Sequence, residues 1–183
     1  MKPGLILIDI QNDYFEKGKM ALVGMDRAAQ NAKTLLASFR KANLPLFHIQ
    51  HKAIQPSATF FLPDTPGVEI HNSVRPLPGE TVVIKHFPNS FRETALLEHL
   101  RAADVKDLVI CGAMSHMCID ATTRAAFDLG LRCLVAEDAC ATRALSHHGQ
   151  IIEAEKVHGA FMAALSSVYA RVISSNDCLK QAA

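Results

Sequence analysis

Short, uninterrupted apolar runs alternate along this chain with longer segments of helical period, and that alternation restricts the fold more than any other feature. Leu5 to Ile8, Leu46 to Ile49, Thr81 to Ile84, Leu108 to Cys111 and Leu131 to Ala136 have strand length, and Val168 to Ile173 offers a sixth. Between them, the stretches near Arg27 to Ala42, Phe91 to Ala102, Ser115 to Leu129 and His148 to Ser166 read as helices. In the last of these, Ile151, Ile152, Val157, Phe161 and Leu165 supply one apolar face. A strand that is apolar throughout needs cover on both faces, which crossover helices provide when the strands run parallel. The pattern predicts a doubly wound α/β domain. Residues Lys52 to Gly79 break it: Pro56, Pro63, Pro66, Pro76 and Pro78 make this a long irregular excursion, a pocket wall or a subunit contact.

With 183 residues, 49% of them hydrophobic, the chain can bury one substantial core, and residues 1–183 are expected to form a single domain. The formal net charge is +1 with both signs interspersed, which argues against nucleic acid and against a membrane surface and favours a small-molecule ligand. A strand begins almost at once and no apolar run has the length of a signal region, so a cytoplasmic protein is expected. The five cysteines contain no Cys-x-x-Cys pair, which disfavours a disulfide framework and a zinc knuckle and predicts reduced thiols.

In sheets of this kind ligands bind beyond the carboxyl ends of the strands. Asp9 closes the first run, Lys85 closes the third, and Cys118 follows the fourth through a short turn that begins at Gly112. If Ser115 caps the next helix, Cys118 falls in its first turn, where unpaired N–H groups and the helix dipole favour a thiolate. Each residue also has a plain structural reading: Asp9 as a turn former, Lys85 as a solvated charge, Cys118 as a small buried side chain. Together they make a coherent set, in which a lysine steadies two anions and a carboxylate exchanges a proton with a thiol.

The segments Leu7-Ile8-Asp9-Ile10-Gln11-Asn12-Asp13-Tyr14-Phe15, Ile84-Lys85-His86-Phe87-Pro88-Asn89-Ser90-Phe91 and Cys111-Gly112-Ala113-Met114-Ser115-His116-Met117-Cys118-Ile119-Asp120-Ala121-Thr122-Thr123-Arg124 resemble the isochorismatase-like cysteine hydrolases, in order and over nearly the whole chain. That family includes nicotinamidases, N-carbamoyl amide hydrolases, ureidoacrylate amidohydrolases and isochorismatases. The resemblance implies a three-layer α/β/α, Rossmann-like fold with a six-stranded parallel sheet and an Asp9, Lys85 and Cys118 triad. It also implies a cis peptide at Ala113-Met114 and an oxyanion hole from the backbone N–H groups of Met114 and Cys118. Substrate-pocket candidates are Ala113 and His116 in the nucleophile turn, and Phe15 and Phe91 after the Asp9 and Lys85 strands.

Nicotinamidases of this family carry a metal site built on Asp-x-His after the second strand. Here the corresponding residues are Ile49-Gln50-His51, and Ile49 has no donor atom, so neither a metal nor another cofactor is expected. Whether His48, His51 and His71 gather is left open by the sequence. The reading is a metal-independent cysteine hydrolase of an amide-like C–N bond, associating as a homo-oligomer. Two alternatives stand beside it: an isochorismatase-type vinyl ether hydrolase, and a non-catalytic ligand-binding protein or thiol redox sensor.

Overall fold

A computed structural model describes residues 3–182, and in it the apolar runs become strands of one parallel sheet. In chain order the strands are β1 (Gly4–Ile8), β2 (Leu46–His51), β3 (Thr81–Lys85), β4 (Asp107–Ala113), β5 (Arg132–Ala141), β6 (Leu145–His147), β7 (Gln150–Ile152) and β8 (Arg171–Ile173). Six of them form the sheet in the order β3-β2-β1-β4-β5-β8, while β6 and β7 form a separate antiparallel hairpin. The helices are α1 (Met25–Lys41), α2 (Leu96–Ala102), α3 (Asp120–Asp128), α4 (Ala154–Val168) and α5 (Ser175–Ala182).

Side chains alternate across each strand, so one strand feeds two cores. Leu5, Leu7, Val109 and Cys111 pack with α1 residues such as Leu35 and Phe39 and with Cys178 of α5. Ile6, Ile8, Leu108 and Ile110 pack with Leu96 and Leu100 of α2, Ala126 of α3 and Leu165 of α4. Three layers result, as the resemblance implies. The chain direction across the sheet reverses between β1 and β4, the switch point at which such folds hold ligands.

Gly112 sets the geometry of that point. Its φ is 124°, and a Cβ there would lie 2.0 Å from the Ile8 carbonyl oxygen, so β4 can press against the end of β1 only without a side chain. There the β4–β5 pairing also shifts, from Ile110 opposite Val135 to Gly112 opposite Cys140. The peptide bond Ala113-Met114 that follows is cis.

Several boundaries differ from the sequence reading. Helix α2 starts at Leu96, not Phe91, because Ser90 is bound to Thr122 and Glu93 turns left-handed (φ 56°). The expected helix from His148 begins at Ala154. Ahead of it lies the hairpin, whose turn residues His148 and Gly149 both have positive φ (48° and 76°), as a two-residue hairpin loop requires. Ile151 and Ile152 therefore lie on β7 and are exposed, not on the buried helix face. The last strand is shorter than expected, since Val168 ends α4.

The excursion from Lys52 to Gly79 holds only two short 3-10 turns, Pro66–Val68 and Asn72–Val74. It is pinned by the residues that follow Asp9. Gln11 Nε2 donates to the Val68 carbonyl (2.7 Å), Asn12 Nδ2 donates to the Pro66 carbonyl (2.7 Å), and Asp13 Oδ2 accepts from the Phe61 N–H (2.6 Å). That excursion thus becomes a fixed wall beside the strand ends.

Candidate active site

Each of the three expected residues reaches the site by a different local device. Asp9 leaves β1 in the left-handed region (φ 52°), a conformation Asp tolerates better than most residues, with its N–H on the Ile49 carbonyl. Lys85 is the last residue of β3 and alternates with buried Val83, so it points inward from an edge strand. Cys118 lies in a π turn, Ser115–Ile119, that precedes α3. All three side chains are buried, Asp9 and Lys85 completely and Cys118 to 4% exposure.

They meet at the Lys85 ammonium. Nζ donates to His51 Nδ1 (2.9 Å), to the Phe87 carbonyl (3.1 Å) and to Cys118 Sγ (3.3 Å), and stands 2.8 Å from Asp9 Oδ2. The Asp9–Lys85 contact is an ion pair outside hydrogen-bond alignment, and neither Asp9 oxygen has an aligned donor among the described residues. Lone pairs on the carboxylate are thus left for a proton, with the thiol as its neighbour: donor atoms of Asp9, His51 and Cys118 lie within 4.8 Å of one another.

The electrostatics correct one expectation. Burial pushes the Cys118 thiol well up from its ordinary value, and the Asp9 carboxylate adds to the shift, against the opposing pull of Lys85. Ser115 is not a helix cap either. Met114 holds the N-cap position without a side-chain cap bond, while Ser115 Oγ lies 2.8 Å from His158 Nδ1 and 3.3 Å from the Ala141 carbonyl. Burial thus works against ionisation of the thiol, while Lys85 works for it. For Lys85, burial is the largest influence and pulls it down, but Asp9 and Cys118 together turn the net shift upward.

Around this centre, the Met114 carbonyl receives the N–H groups of Met117 and Ile119, leaving Met114 at the head of the turn that carries Cys118. Ala113 is fully buried in the α1-side core. His116 Nδ1 lies 2.6 Å from Thr142 Oγ1, and burial holds its pKa below the ordinary value. Phe15 stacks on His71 at 3.6 Å between ring centroids, and Phe91 packs at the edge of the α2-side core. Tyr14 and Phe61 stand nearer the centre: the Tyr14 hydroxyl is pushed up by burial and then by Cys118 and Asp9, and Phe61 lies 4.6 Å from Tyr14 and 5.8 Å from His51.

The histidines do not gather. His48 bonds Glu80 (3.0 Å), His71 stacks on Phe15, and only His51 enters the site. Ile49 is buried in the α2-side core. Asp9, His51 and Cys118 have the donor atoms of a cation site, yet Lys85 Nζ already lies within 3.3 Å of all three. An ammonium fills the position a metal would need, and the donor set does not fit a metal.

A doubly wound protein that presents a carboxylate, an ammonium and a thiol around one point at its switch crevice has the layout of a small-molecule enzyme. The sequence matches the isochorismatase domain over residues 3–177, and the chain belongs to the isochorismatase family, a family of hydrolases. It is 56% identical over 98% of its length to the whole of YddQ, an uncharacterized isochorismatase family protein of Bacillus subtilis. A crystal structure of an isochorismatase hydrolase from Oleispira antarctica superposes with a TM-score of 0.94 at 50% identity, covering 98% of this chain and 96% of that one. Streptothricin hydrolase of Streptomyces noursei is 38% identical over 75% of this chain and 49% of its own length. Relatives at 27% identity are named nicotinamidase (Arabidopsis thaliana; 75% of this chain, 72% of its own length) and ureidoacrylate amidohydrolase (Cronobacter sakazakii; 74% and 72%).

Proposed function

We propose that this hydrolase cleaves an amide-like C–N bond of a small molecule without a metal, with Cys118 as nucleophile, Asp9 as proton carrier and Lys85 as the fixed counter-charge. The observation that carries the reading is the convergence of Asp9, Cys118 and His51 on Lys85 Nζ. With substrate present, the thiol proton moves to Asp9 as sulfur attacks the carbonyl carbon. The negative charge leaves the carboxylate and, by way of the sulfur as the S–C bond forms, ends on the carbonyl oxygen; Lys85, 2.8 Å from Asp9 Oδ2 and 3.3 Å from Cys118 Sγ, pairs with the carboxylate at the start and steadies the sulfur while the charge crosses it. The backbone N–H groups of Met114 and Cys118 receive the tetrahedral oxyanion. Asp9 then gives its proton to the leaving nitrogen, and a thioester remains on Cys118. Water attacks that thioester, losing its proton to Asp9, and Asp9 returns the proton to sulfur as the acid leaves.

The names of the nicotinamidase, ureidoacrylate amidohydrolase and streptothricin hydrolase relatives support amide-type over vinyl ether chemistry. The Asp9 carboxylate beside Cys118 speaks against a redox sensor, which needs a thiolate but no group to carry its proton to a substrate. A cytoplasmic setting is supported by five free, buried thiols, and self-association by exposed Val23, Ile151 and Ile152. No helix among the described residues is long and apolar enough to cross a membrane.

The test is a screen of small primary amides and N-carbamoyl compounds with wild type, Cys118→Ala and Asp9→Asn. Hydrolysis lost in both variants, and an acyl adduct on Cys118 in the intact mass of wild type quenched during turnover, are expected. Full activity in Cys118→Ala would overturn the reading. Activity on a vinyl ether that survives Cys118→Ala but not Asp9→Asn would replace it with the isochorismatase-type reaction.

A further inference from the structure

We infer that His51 is a positioning residue: its unprotonated Nδ1 takes one hydrogen of the Lys85 ammonium and so leaves the other two for the Phe87 carbonyl and the Cys118 sulfur, with Asp9 held beside them as an ion pair. The inference rests on the cysteine-hydrolase reading and assigns a part to a residue outside the triad. A buried ammonium has three hydrogens to place and gains nothing from solvent. Lys85 has four neighbours within 3.3 Å, and two of them, Asp9 and Cys118, exchange a proton during the proposed reaction. The Phe87 carbonyl and His51 Nδ1 are the two whose acceptor character does not change. Held at these two points, the third hydrogen is donated to the Cys118 sulfur, with the Asp9 carboxylate 2.8 Å from Nζ as its ion-pair partner.

The fold fixes His51 for this task. It is the residue directly opposite Lys85 in the β2–β3 pairing. Gln11 clamps its backbone on both sides, with Oε1 accepting from the His51 N–H (2.7 Å) and Nε2 donating to the His51 carbonyl (2.9 Å). Phe61 borders the ring, and the groups charged or titratable around it are Asp9 (3.9 Å), Lys85 and His86. Burial, helped by Lys85 and His86 and opposed by Asp9, lowers its pKa to about 4, so the ring is neutral at working pH and, with Nδ1 accepting, its proton sits on Nε2. A metal-ligand role for the same nitrogen is excluded by Lys85, which already occupies its lone pair.

Two measurements test this without a known substrate. First, wild type labelled with 15N-histidine should show His51 with a bare Nδ1 and a protonated Nε2 between pH 6 and 8, and a protonated Nδ1 overturns the inference. Second, the iodoacetamide alkylation rate of Cys118, located by peptide mass and read across pH 6 to 10, should fall about tenfold or more in His51→Gln, the scale of removing one hydrogen bond from a buried charge. His51→Asn, whose Oδ1 stands where Nδ1 stood, should restore the rate to within about threefold. Equal rates in wild type and His51→Gln, or an Asn variant as slow as Gln, overturn it. Wild-type Cys118 reacting no faster than Cys111 removes the nucleophile reading itself, and the inference with it.

Discussion

Lys85 Nζ and Asp9 Oδ2 lie 2.8 Å apart with neither side chain exposed to solvent, a pair of opposite charges sealed between the end of β1 and the end of an edge strand. Removing one partner strands the other. Lys85→Met should cost about 3–5 kcal/mol of stability, and Asp9→Asn combined with Lys85→Met should recover much of it, because no unpaired charge remains. Urea unfolding of the two variants decides this. A single variant as stable as wild type would show that the charges are not coupled. Neither variant should hydrolyse substrate.

Gly112 and Gly159 should respond oppositely to alanine. At Gly112 the added Cβ meets the Ile8 carbonyl at 2.0 Å with φ at 124°, so β4 must leave β1 and carry the nucleophile turn away from Asp9. Loss of activity with a fall in thermal midpoint is expected. Gly159 lies within α4, and a Cβ added there would meet nothing within 4 Å, so Gly159→Ala should stabilise by about 0.5–1 kcal/mol with activity unchanged.

Gln11 joins His51 to Val68 through both ends of its amide. Gln11→Ala should free the segment between Lys52 and Val68 while the sheet stays intact. Limited proteolysis reads this directly: cleavage there several-fold faster than in wild type is expected, with a thermal midpoint lowered by the buried groups left unpaired. An unchanged cleavage rate would mean that the remaining contacts, those of Asn12, Asp13 and Gln50 among them, hold the wall without Gln11.

Alkaline pH should destabilise the fold through its buried thiols. Burial pushes Cys133 and Cys140 up to about 12, whereas thiols in the unfolded chain titrate at about 8.5. Between these values the unfolded chain releases protons that the folded chain keeps, so stability is full below the unfolded value and falls as pH rises toward 12, by up to ~1.4 kcal/mol per pH unit for each thiol. Urea midpoints in reductant at pH 7.5 and 10.5 should show the fall, with a shallower slope in Cys133→Ala. A slope unaffected by that change would assign the effect to other groups.

The placement of Asp9, Lys85 and Cys118 at one rim of the sheet is legible in the sequence because each follows an apolar run, and a run's end is a local property. Tyr14 and Phe61 carry no such mark, since their nearness to the centre depends on how the excursion after β2 folds back. The hairpin at Leu145–Ile152 is masked by apolar residues that also fit a helical period. His148-Gly149 is the available signal, a pair able to take the two positive φ values of a tight turn.

The sequence by itself determined the layered architecture, the strand ends and the three groups presented there, because hydrophobic period and chain termini of strands act over a few residues. Only the tertiary structure decided that His51 faces Lys85, that Gly112 presses on Ile8, and that burial opposes ionisation of the Cys118 thiol. Those depend on strand register, close approach and burial, which are set by residues tens of positions apart and have no signature in local spacing.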